Sequence, residues 1–345
     1  GPLYSSNNEY GQAKDPKTVA ASNMKGNYQD EFTVGMEQQL VEGWKGSAKL
    51  TYRSLKTAID DHCDDRPFLA WAARNKINTA NYEGYNCALF NPGIGNTFTL
   101  DMNGDGKLET IYLSAADLGI PPVKRLYTAL DLGLEHAFDG KWWAKINYTL
   151  SRNNGNAEGQ LLSDIGQGDV ATTQAFDFPE FSVNADGLLP NDRTHQIKAF
   201  GYYQVTEEFG IGGNTIFATG RPKNCIGNAP VATPSDAPYV AGGPVTTYSG
   251  YGSAYFFCAG QPSPRGSRGK LPSTFTTDIN LTYKPKALPG MKFKIDVFNI
   301  FNRQVAESIE ERYNSGTGLR STYGTVLSYS GPRYVKLGVA YDFKK

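Results

Sequence analysis

The sequence predicts an all-β fold, an antiparallel segment of a transmembrane β-barrel with long extracellular loops. Three observations predict it. Apolar and polar residues alternate over long stretches, no apolar run is long, and short connections alternate with long ones along the chain. The longest apolar run, residues 68–73, is far shorter than the roughly 20 residues that a membrane-spanning helix requires. An α-helical membrane protein is therefore excluded.

Composition favours strands and gives no sign of a nucleic-acid partner. The 34 basic side chains are balanced by 34 acidic ones, so the chain lacks the positive charge that binding to a phosphate backbone requires. Its 21 Tyr, 18 Phe and 38 Gly favour strands and turns over helices. We therefore expect no nucleic-acid partner.

Period-two alternation predicts nine strands, at 32–40, 44–60, 125–138, 141–153, 192–208, 210–220, 274–285, 291–301 and 333–343. The strand near residue 295 shows the pattern clearly. Its apolar positions are predicted to face lipid: Phe293, Ile295 and Val297. Its charged positions are predicted to face a wet lumen: Lys292, Lys294 and Asp296.

The connections between these strands decide between a membrane barrel and a soluble β-sandwich. Short turns at 41–43, 139–140, 209–210 and 286–290 alternate with long segments at 61–124, 154–191, 221–273 and 302–332. A β-sandwich also alternates apolar and polar residues, but it has no reason to keep all its long loops at one end. Short periplasmic turns and long external loops are the rule for membrane barrels, and a closed barrel satisfies every backbone hydrogen bond in lipid.

Strand length and aromatic residues point the same way. Several predicted strands exceed the usual length of about five or six residues. Aromatic side chains near strand ends resemble the interfacial girdle of a membrane barrel: Trp44, Trp142, Trp143, Tyr283 and Tyr341. A transmembrane barrel is therefore the favoured interpretation.

Four stretches carry a family resemblance: LPNDRTHQIK at 189–198, FATGRP at 217–222, DVFNIFN at 296–302 and RYVKLGVAYDF at 333–343. With these motifs the chain resembles the TonB-dependent outer-membrane receptors, and within them the Oar-like group. The resemblance extends over most of residues 30–343 and is strongest after residue 189. One departure is that Phe343 is followed by two lysines, whereas the family's last residue is normally aromatic.

The resemblance implies that this chain is the C-terminal part of a barrel of roughly 22 strands. We expect residues 1–31 to be the end of an extracellular loop or an N-terminal extension, residues 32–343 to form the barrel part, and residues 344–345 to be a short basic tail. The family's plug domain and TonB box are not found in the sequence. The expected location is the outer membrane of a Gram-negative bacterium.

The function that the resemblance implies is energy-coupled uptake of a scarce ligand through a plugged barrel. The expected partners are outer-membrane lipid, an unknown extracellular ligand, and the TonB complex through the N-terminal part that this sequence lacks. A passive porin or a structural or adhesive surface protein is the alternative. No Ser/His/Asp or paired-carboxylate motif supports catalysis, so we do not expect an enzyme.

Cys63 and Cys87 lie in one long segment, and Cys225 and Cys258 lie in another. An even number of cysteines in an exported protein predicts disulfides. Pairing within each segment, Cys63 with Cys87 and Cys225 with Cys258, is one of the possible connectivities, and no cysteine is expected in a strand. Free thiols are the alternative.

Residues 101–109 resemble the start of an EF-hand calcium loop, so Ca²⁺ is a candidate cofactor. The candidate ligands are Asp101, Asn103, Asp105, the carbonyl of Lys107, and Glu109. Position twelve is Tyr112 rather than a bidentate Glu, so Glu109 or Asp117 would have to replace it. An ordinary solvated turn is the alternative.

Three other polar sites are predicted to be structural. Residues 60–65, rich in acidic side chains, are interpreted as a solvated loop base. His136 is interpreted as an interfacial side chain among lipid-facing positions. Near His195, at the outer start of a strand, Asp192 and Arg193 are expected to pair across strands.

Overall fold

The computed structural model describes residues 15–85, 87–168, 170–229, 253–315 and 318–343. Residues 1–14 of the predicted N-terminal extension and the predicted tail at 344–345 lie outside these described residues.

Nine long strands form the main sheet, which we call the wall. They are β1 (Tyr28–Val41), β2 (Trp44–Thr57), β3 (Arg125–His136), β4 (Trp142–Gly155), β5 (His195–Gln204), β6 (Phe209–Ala218), β7 (Thr274–Tyr283), β8 (Met291–Phe298) and β9 (Tyr334–Tyr341). Their order in the sheet is their order in the chain, and every neighbouring pair is antiparallel. All nine predicted strands and the all-β fold class are confirmed.

Short and long connections alternate as predicted. The short ones are 42–43, 137–141, 205–208 and 284–290, and the long ones are 58–124, 156–194, 219–273 and 299–333. Because consecutive strands run in opposite directions, all four long segments leave the sheet at the same end. Within the described residues the sheet is open, since β1 pairs only with β2 and β9 pairs only with β8. An open antiparallel sheet of this kind is a barrel segment.

Four predicted strand ends were placed three or four residues too far into the connections. The strands predicted to end at 60 and 208 end at Thr57 and Gln204, and the other two ends are 192 and 301. The strand predicted to start at residue 192 starts at His195, because Asp192 turns its side chain to the backbone of Asn153 instead of joining the ladder. The strand predicted to end at residue 301 ends at Phe298. Asn299 takes a φ of 47°, and its side chain bonds to the backbone of Arg303 and Gly331. A left-handed residue cannot continue a strand.

The described parts of the four long segments form a folded layer, which we call the outer body. Its strands pair as Asp60–His62 with Ala88–Phe90, Asn96–Leu100 with Glu109–Leu113, Phe257–Cys258 with Gln261–Pro262, Ala306–Ile309 with Val326–Tyr329, and Asn314–Ser315 with Gly318–Leu319. Gly187–Leu188 pairs with β4. Its helices are α1 (Arg66–Arg74), α2 (Ala115–Leu118) and two 3₁₀ turns, Ser163–Ile165 and Pro179–Ser182.

The outer body has its own apolar core. The apolar run at 68–73 lies in α1, whose first turn contains Pro67, a residue that suits this position because its missing N–H has no partner there. The side chains of Phe68, Phe90, Phe98 and Ile111 are fully buried together. Residues 19–21 pair with Leu89 and so pack against this core. Among the described residues, no helix has the length and hydropathy needed to cross a membrane.

Candidate functional site

The register of the wall gathers apolar side chains on one face. Successive side chains of a strand point to opposite faces, so residues paired in register share a face. One row across β1 to β4 is Val34, Leu50, Leu130 and Leu150. The same face continues on β7 to β9 through Leu281, Ile295 and Leu337. This arrangement agrees with the lipid-facing positions predicted for β8.

The opposite face of the wall carries polar side chains and cross-strand ion pairs. These are Arg53–Glu31 (2.8 Å), Lys45–Glu37 (2.8 Å), Lys49–Asp131 (3.5 Å) and Lys145–Glu135 (2.9 Å). A hollow of about 620 Å³ lies on this face beside Lys49, Asp131 and Lys198. Gly133 helps to form it, since a Cβ there would lie 2.4 Å from the hydroxyl of Ser47. This face has the charge and the depth of a wet lumen.

An aromatic cluster marks the end of the wall that carries the short turns. The His136 ring stacks on Trp142 with a centroid distance of 3.8 Å and meets Trp44 edge-on at 5.1 Å. His136 therefore packs within an aromatic cluster, and its position at the membrane interface stays a prediction. Trp143 was predicted to belong to this lipid-facing girdle, and this prediction was wrong. Trp143 pairs with Tyr202, whereas Trp142 pairs with Tyr203, so the Trp142 and Trp143 side chains point to opposite faces of the wall.

Both predicted disulfides are present in the outer body. Cys63 bonds to Cys87 and Cys225 bonds to Cys258, which leaves no free cysteine. The prediction that no cysteine lies in a strand was wrong for Cys258, which belongs to the short strand Phe257–Cys258. Each bond closes a loop within one long segment, so the disulfides constrain the outer body and not the wall.

The interpretation of residues 60–65 as a solvated loop base was wrong. Asp60, His62 and Asp64 are buried. Asp60 accepts hydrogen bonds from the amide and the hydroxyl of Thr173, both at 2.7 Å. These hydrogen bonds offset the cost of burying the Asp60 carboxylate. Thr173 belongs to a different long segment, so the sequence around Asp60 gives no sign of this partner.

Arg66 is the second reason that this acidic segment can be buried. Its guanidinium bonds to Asp64 at 2.6 Å and to Glu180 at 2.7 Å. Glu180 lies in the 156–194 segment, whereas Asp64 lies in the 58–124 segment. One arginine therefore neutralises two buried carboxylates and joins two long segments.

His62 is enclosed by aromatic rings and does not act as a polar ligand. Its ring lies 5.3 Å from Phe90, 6.0 Å from Phe68 and 6.1 Å from Phe98, measured between centroids. Neither ring nitrogen has a hydrogen-bond partner among the described residues. Burial lowers the pKa of His62 to about 4. The ring is therefore neutral at physiological pH and serves as a core side chain.

A second buried ionic group joins three long segments. Asp164 lies 3.7 Å from Arg265, and Glu311 lies 3.1 Å from Arg221. Asn224 connects the two pairs, because its side-chain amide donates to Asp164 at 2.5 Å and its backbone N–H donates to Glu311 at 3.0 Å. Burial raises the pKa of Asp164 and of Glu311, although the neighbouring arginines oppose this. The outer body is thus held together by buried charges as well as by apolar packing.

The candidate calcium loop has the compact turn that the sequence predicts. The Asp101 carboxylate accepts from the amides of Gly104 and Gly106, both at 2.8 Å, and Asn103 accepts from the amide of Asp105 at 2.9 Å. Desolvation raises the pKa of Asp101, but these backbone hydrogen bonds outweigh it and hold the pKa below its usual range. Gly106 has a φ of 80°, which glycine adopts without strain.

The structure distinguishes between the two residues that could replace the missing twelfth ligand. Glu109 accepts from the amide of Met102 at 2.8 Å, which holds its carboxylate beside the start of the loop. Asp117 caps α2 and pairs with Arg74 at 3.0 Å, so it is engaged elsewhere. The carboxylates of Asp101, Asp105 and Glu109 are not gathered within 4.8 Å of one another, so binding would require one of them to move.

One cluster in the described residues does meet that spacing, and it consists of Asp61, Cys63 and Cys87. Its two sulfurs are joined in a disulfide, so they supply no thiolate for a metal. Burial, with the nearby carboxylates of Asp177 and Asp60, raises the pKa of Asp61. The cluster is therefore a disulfide beside a half-buried carboxyl group and lacks the thiolates that a metal centre would use.

The expected pairing across strands is present for Asp192 and was wrong for Arg193. Asp192 accepts from the amide of Asn153 at 2.8 Å and lies 3.3 Å from the Lys270 ammonium. Arg193 donates to the backbone carbonyls of Pro190 and Asp192. These bonds fix the chain where it enters β5 from the outer body.

A known transporter resembles this chain over nearly all of its length. The chain is 26% identical to the TonB-dependent transporter Oar of Myxococcus xanthus over 364 aligned residues. The alignment covers 94% of this chain and 29% of that protein. The predicted resemblance to TonB-dependent transporters is confirmed. The outer-membrane location is confirmed with it, and the chain spans less than a third of the relative's length.

Solved outer-membrane transporters resemble the chain at low sequence identity. The transporter YddB of Escherichia coli is 14% identical with a TM-score of 0.49, covering 96% of this chain and 35% of that one. FpvA of P. aeruginosa, solved with pyoverdines, is 10% identical with a TM-score of 0.46, covering 96% and 29%. The FrpB iron transporter of Neisseria meningitidis is 13% identical with a TM-score of 0.46, covering 94% and 32%. No protein-family model matches the sequence.

The sequence analysis missed the buried ionic groups of the outer body. Arg265 and Asp164 lie in different long segments, and no local pattern marks them as partners. The helix α1 did leave a signal, because an apolar run directly after Pro67 is typical of a helix start. The lumen-side hollow left only a weak signal in the sequence, which is the presence of Gly35 and Gly133 inside predicted strands.

Proposed function

We propose that this chain is the C-terminal barrel part of an energy-coupled outer-membrane receptor that imports a scarce ligand. The similarity to a TonB-dependent transporter over 94% of the chain carries the proposal. The receptor would bind its ligand and pass it inward without changing it chemically, so it is not an enzyme. The TonB complex would act through sequence outside this chain, because the chain covers only 29% of that relative.

The outer body is the proposed capture surface. Its disulfides and buried ion pairs fix the shape of the long segments before any ligand arrives. Pre-organisation of this kind raises affinity, since little conformational entropy remains to be lost on binding. The ion-paired face of the wall would line the path below it.

Calcium binding by residues 101–109 is a second, smaller proposal. The orientation of the Asp101 and Asn103 side chains by backbone amides favours it. Asp101, Asn103, Asp105, the Lys107 carbonyl and Glu109 would hold the ion, which would order the adjoining hairpin. Two firm carboxylates predict weak affinity, of the micromolar-to-millimolar kind seen in extracellular modules.

A growth experiment tests the transport proposal. A deletion strain would be complemented with the full-length receptor and grown on limiting sources of metals, carbohydrates and peptides, with and without an active TonB complex. Growth on at least one source that needs both the receptor and TonB supports the proposal. Growth that needs the receptor but not TonB would establish a passive porin. No growth difference, with normal receptor levels in the outer membrane, would favour a structural or adhesive role.

A further inference from the structure

Arg152 is a charged side chain on the lipid-facing side of the wall. It lies on β4 two positions beyond Leu150, so the two residues share a face. In the ladder with β3 it lies opposite Thr128, one row outside the apolar row of Leu130 and Leu150. The side chain is exposed. An arginine on this face needs a reason, because a charge toward lipid is costly near the membrane centre and tolerated only near the interface.

The height of Arg152 places it at the outer interface. Ten residue steps along β4 separate it from Trp142 in the aromatic cluster at the opposite end. At about 3.3 Å per residue this is about 33 Å along the strand, and a tilt of roughly 35–45° reduces it to a height of about 25 Å. That height equals the apolar band of an outer-membrane barrel. The guanidinium therefore lies level with the head groups of the outer leaflet.

Arg152 has no counter-charge in the protein. Among the described residues its side chain makes neither an ion pair nor a hydrogen bond. Two other cations at this level of the wall are paired. Arg53, on the opposite face, bonds to Glu31 at 2.8 Å, and Lys56 lies 3.6 Å from Asp30. Thr128 lies opposite Arg152 in the ladder, and Thr194, which also lines the groove, has its hydroxyl 2.5 Å from the Lys270 ammonium.

An apolar groove leads from Arg152 toward the middle of the membrane. Its volume is about 740 Å³. Its lining side chains on the lipid-facing side are Phe32, Val34, Leu50, Leu130 and Leu150, with Arg152 and Thr194 at the outer end. Large apolar side chains thus flank a groove that is closed at its outer end by one cation and hydroxyl groups. This is the shape and polarity of a binding site for an anionic amphiphile.

We propose that this groove binds one phosphate-bearing lipid of the outer leaflet, with the phosphate on Arg152 and an acyl chain along the groove. A guanidinium donates two parallel hydrogen bonds to a phosphate, and the hydroxyl of Thr128, opposite Arg152 in the ladder, can donate a third. The phosphate supplies the counter-charge that the protein lacks, and the acyl chain covers apolar surface that lies beside it. The site is separate from the proposed ligand path, which lies on the other face of the wall.

Native mass spectrometry of the full-length receptor in detergent tests this. The probe is phosphatidic acid, compared with phosphatidylcholine of the same acyl chains. Phosphatidic acid should bind preferentially, and Arg152→Gln should weaken its binding about tenfold, the loss expected for one charge-assisted contact. Arg53→Gln, the same charge change at similar height on the other face, should leave phosphatidic acid binding unchanged. Equal binding by wild type and Arg152→Gln would overturn the proposal.

The groove gives a second, independent variant. Leu130→Trp should fill it and weaken phosphatidic acid binding while keeping Arg152. Heat-modifiable migration in SDS gels should show that each variant is folded. Inorganic phosphate should not displace the lipid at concentrations where phosphatidic acid saturates. If inorganic phosphate competes equally, or if Leu130→Trp binds the lipid as the wild type does, Arg152 is an anion contact without a lipid groove and the proposal fails.

Discussion

The wall and the outer body are built by different rules. In the wall, each strand repeats one local pattern, and a row such as Val34, Leu50 and Leu130 follows once the register is set. In the outer body, residues far apart in the chain must meet, as Arg66 and Glu180 do. The fold of the wall therefore depends on strand pairing and on the alternation of apolar and polar side chains. The fold of the outer body depends on a few specific bonds between residues far apart in the chain.

The first test of this difference between the wall and the outer body removes one buried charge from the outer body. Glu311→Gln should leave Arg221 without a counter-charge and destabilise the outer body by about 3–5 kcal/mol. Hydrogen exchange of the full-length receptor would measure this, with faster exchange in 219–229 and 299–315 and unchanged exchange in the wall.

The matched control for Glu311 is Glu207, which lies at a short turn and pairs with Lys286 while largely exposed. Glu207→Gln should leave hydrogen exchange close to that of the wild type, because exposed ion pairs are weak. Equal costs for the two variants would contradict the account of a charge-stabilised outer body.

The second prediction concerns the disulfides. Replacing Cys225 and Cys258 together by Ser opens a loop with a sequence separation of 33 and should cost on the order of 3–4 kcal/mol in the outer body. The double replacement of Cys63 and Cys87, with a separation of 24, should cost slightly less. Limited proteolysis in outer-membrane vesicles would measure both. Protection as in the wild type would show that packing alone orders the outer body.

The third prediction is a pH dependence that belongs to the outer body alone. The pKa of His62 is about 4, below the ordinary 6.5, so the opened state takes up a proton first as the pH falls. The stability that neutral His62 contributes is complete above pH 6.5 and is lost as the pH falls toward 4. The loss should reach about 3 kcal/mol near pH 4.

The control for this pH dependence is His62→Phe, which suits the aromatic surroundings of the ring. Hydrogen exchange of residues 58–124 between pH 7 and pH 4 should show a smaller acid-induced loss in the variant than in the wild type. The same loss in both proteins would mean that other groups cause it.

The fourth and smallest effect is calcium binding. Isothermal calorimetry of the full-length receptor should show weak calcium binding that disappears in Asp101→Ala with Asp105→Ala. Replacing Glu207 and Glu208 by Ala removes the same charge at the other end of the wall and should leave calcium binding unchanged. Calcium binding that persists in the Asp101 and Asp105 variant would mean that 101–109 is an ordinary polar turn.

The sequence predicts the wall well because the alternation within each strand indicates which side chains lie on the apolar face and which lie on the polar face. The alternation of Lys294 with Ile295 depends only on two neighbours, so it needs no knowledge of the rest of the fold. The disulfides could also be predicted, since Cys63 and Cys87 share one segment. The burial of Asp60 could not, because Thr173 reaches it from another segment. Trp143 was assigned to the wrong face because the aromatic girdle was inferred from closeness to a strand end, without asking to which face of the sheet each side chain points.

Thiol labelling of β8 tests the central claim, that the wall has one lipid face and one wet face. With no free cysteine in the chain, single cysteines can be introduced at each position from 292 to 297 of the full-length receptor. A membrane-impermeant maleimide, applied to receptor in detergent-free bilayers opened on both sides, should label positions 292, 294 and 296. Positions 293, 295 and 297 should remain unlabelled. Equal labelling of the two sets, or the reverse pattern, would contradict the account.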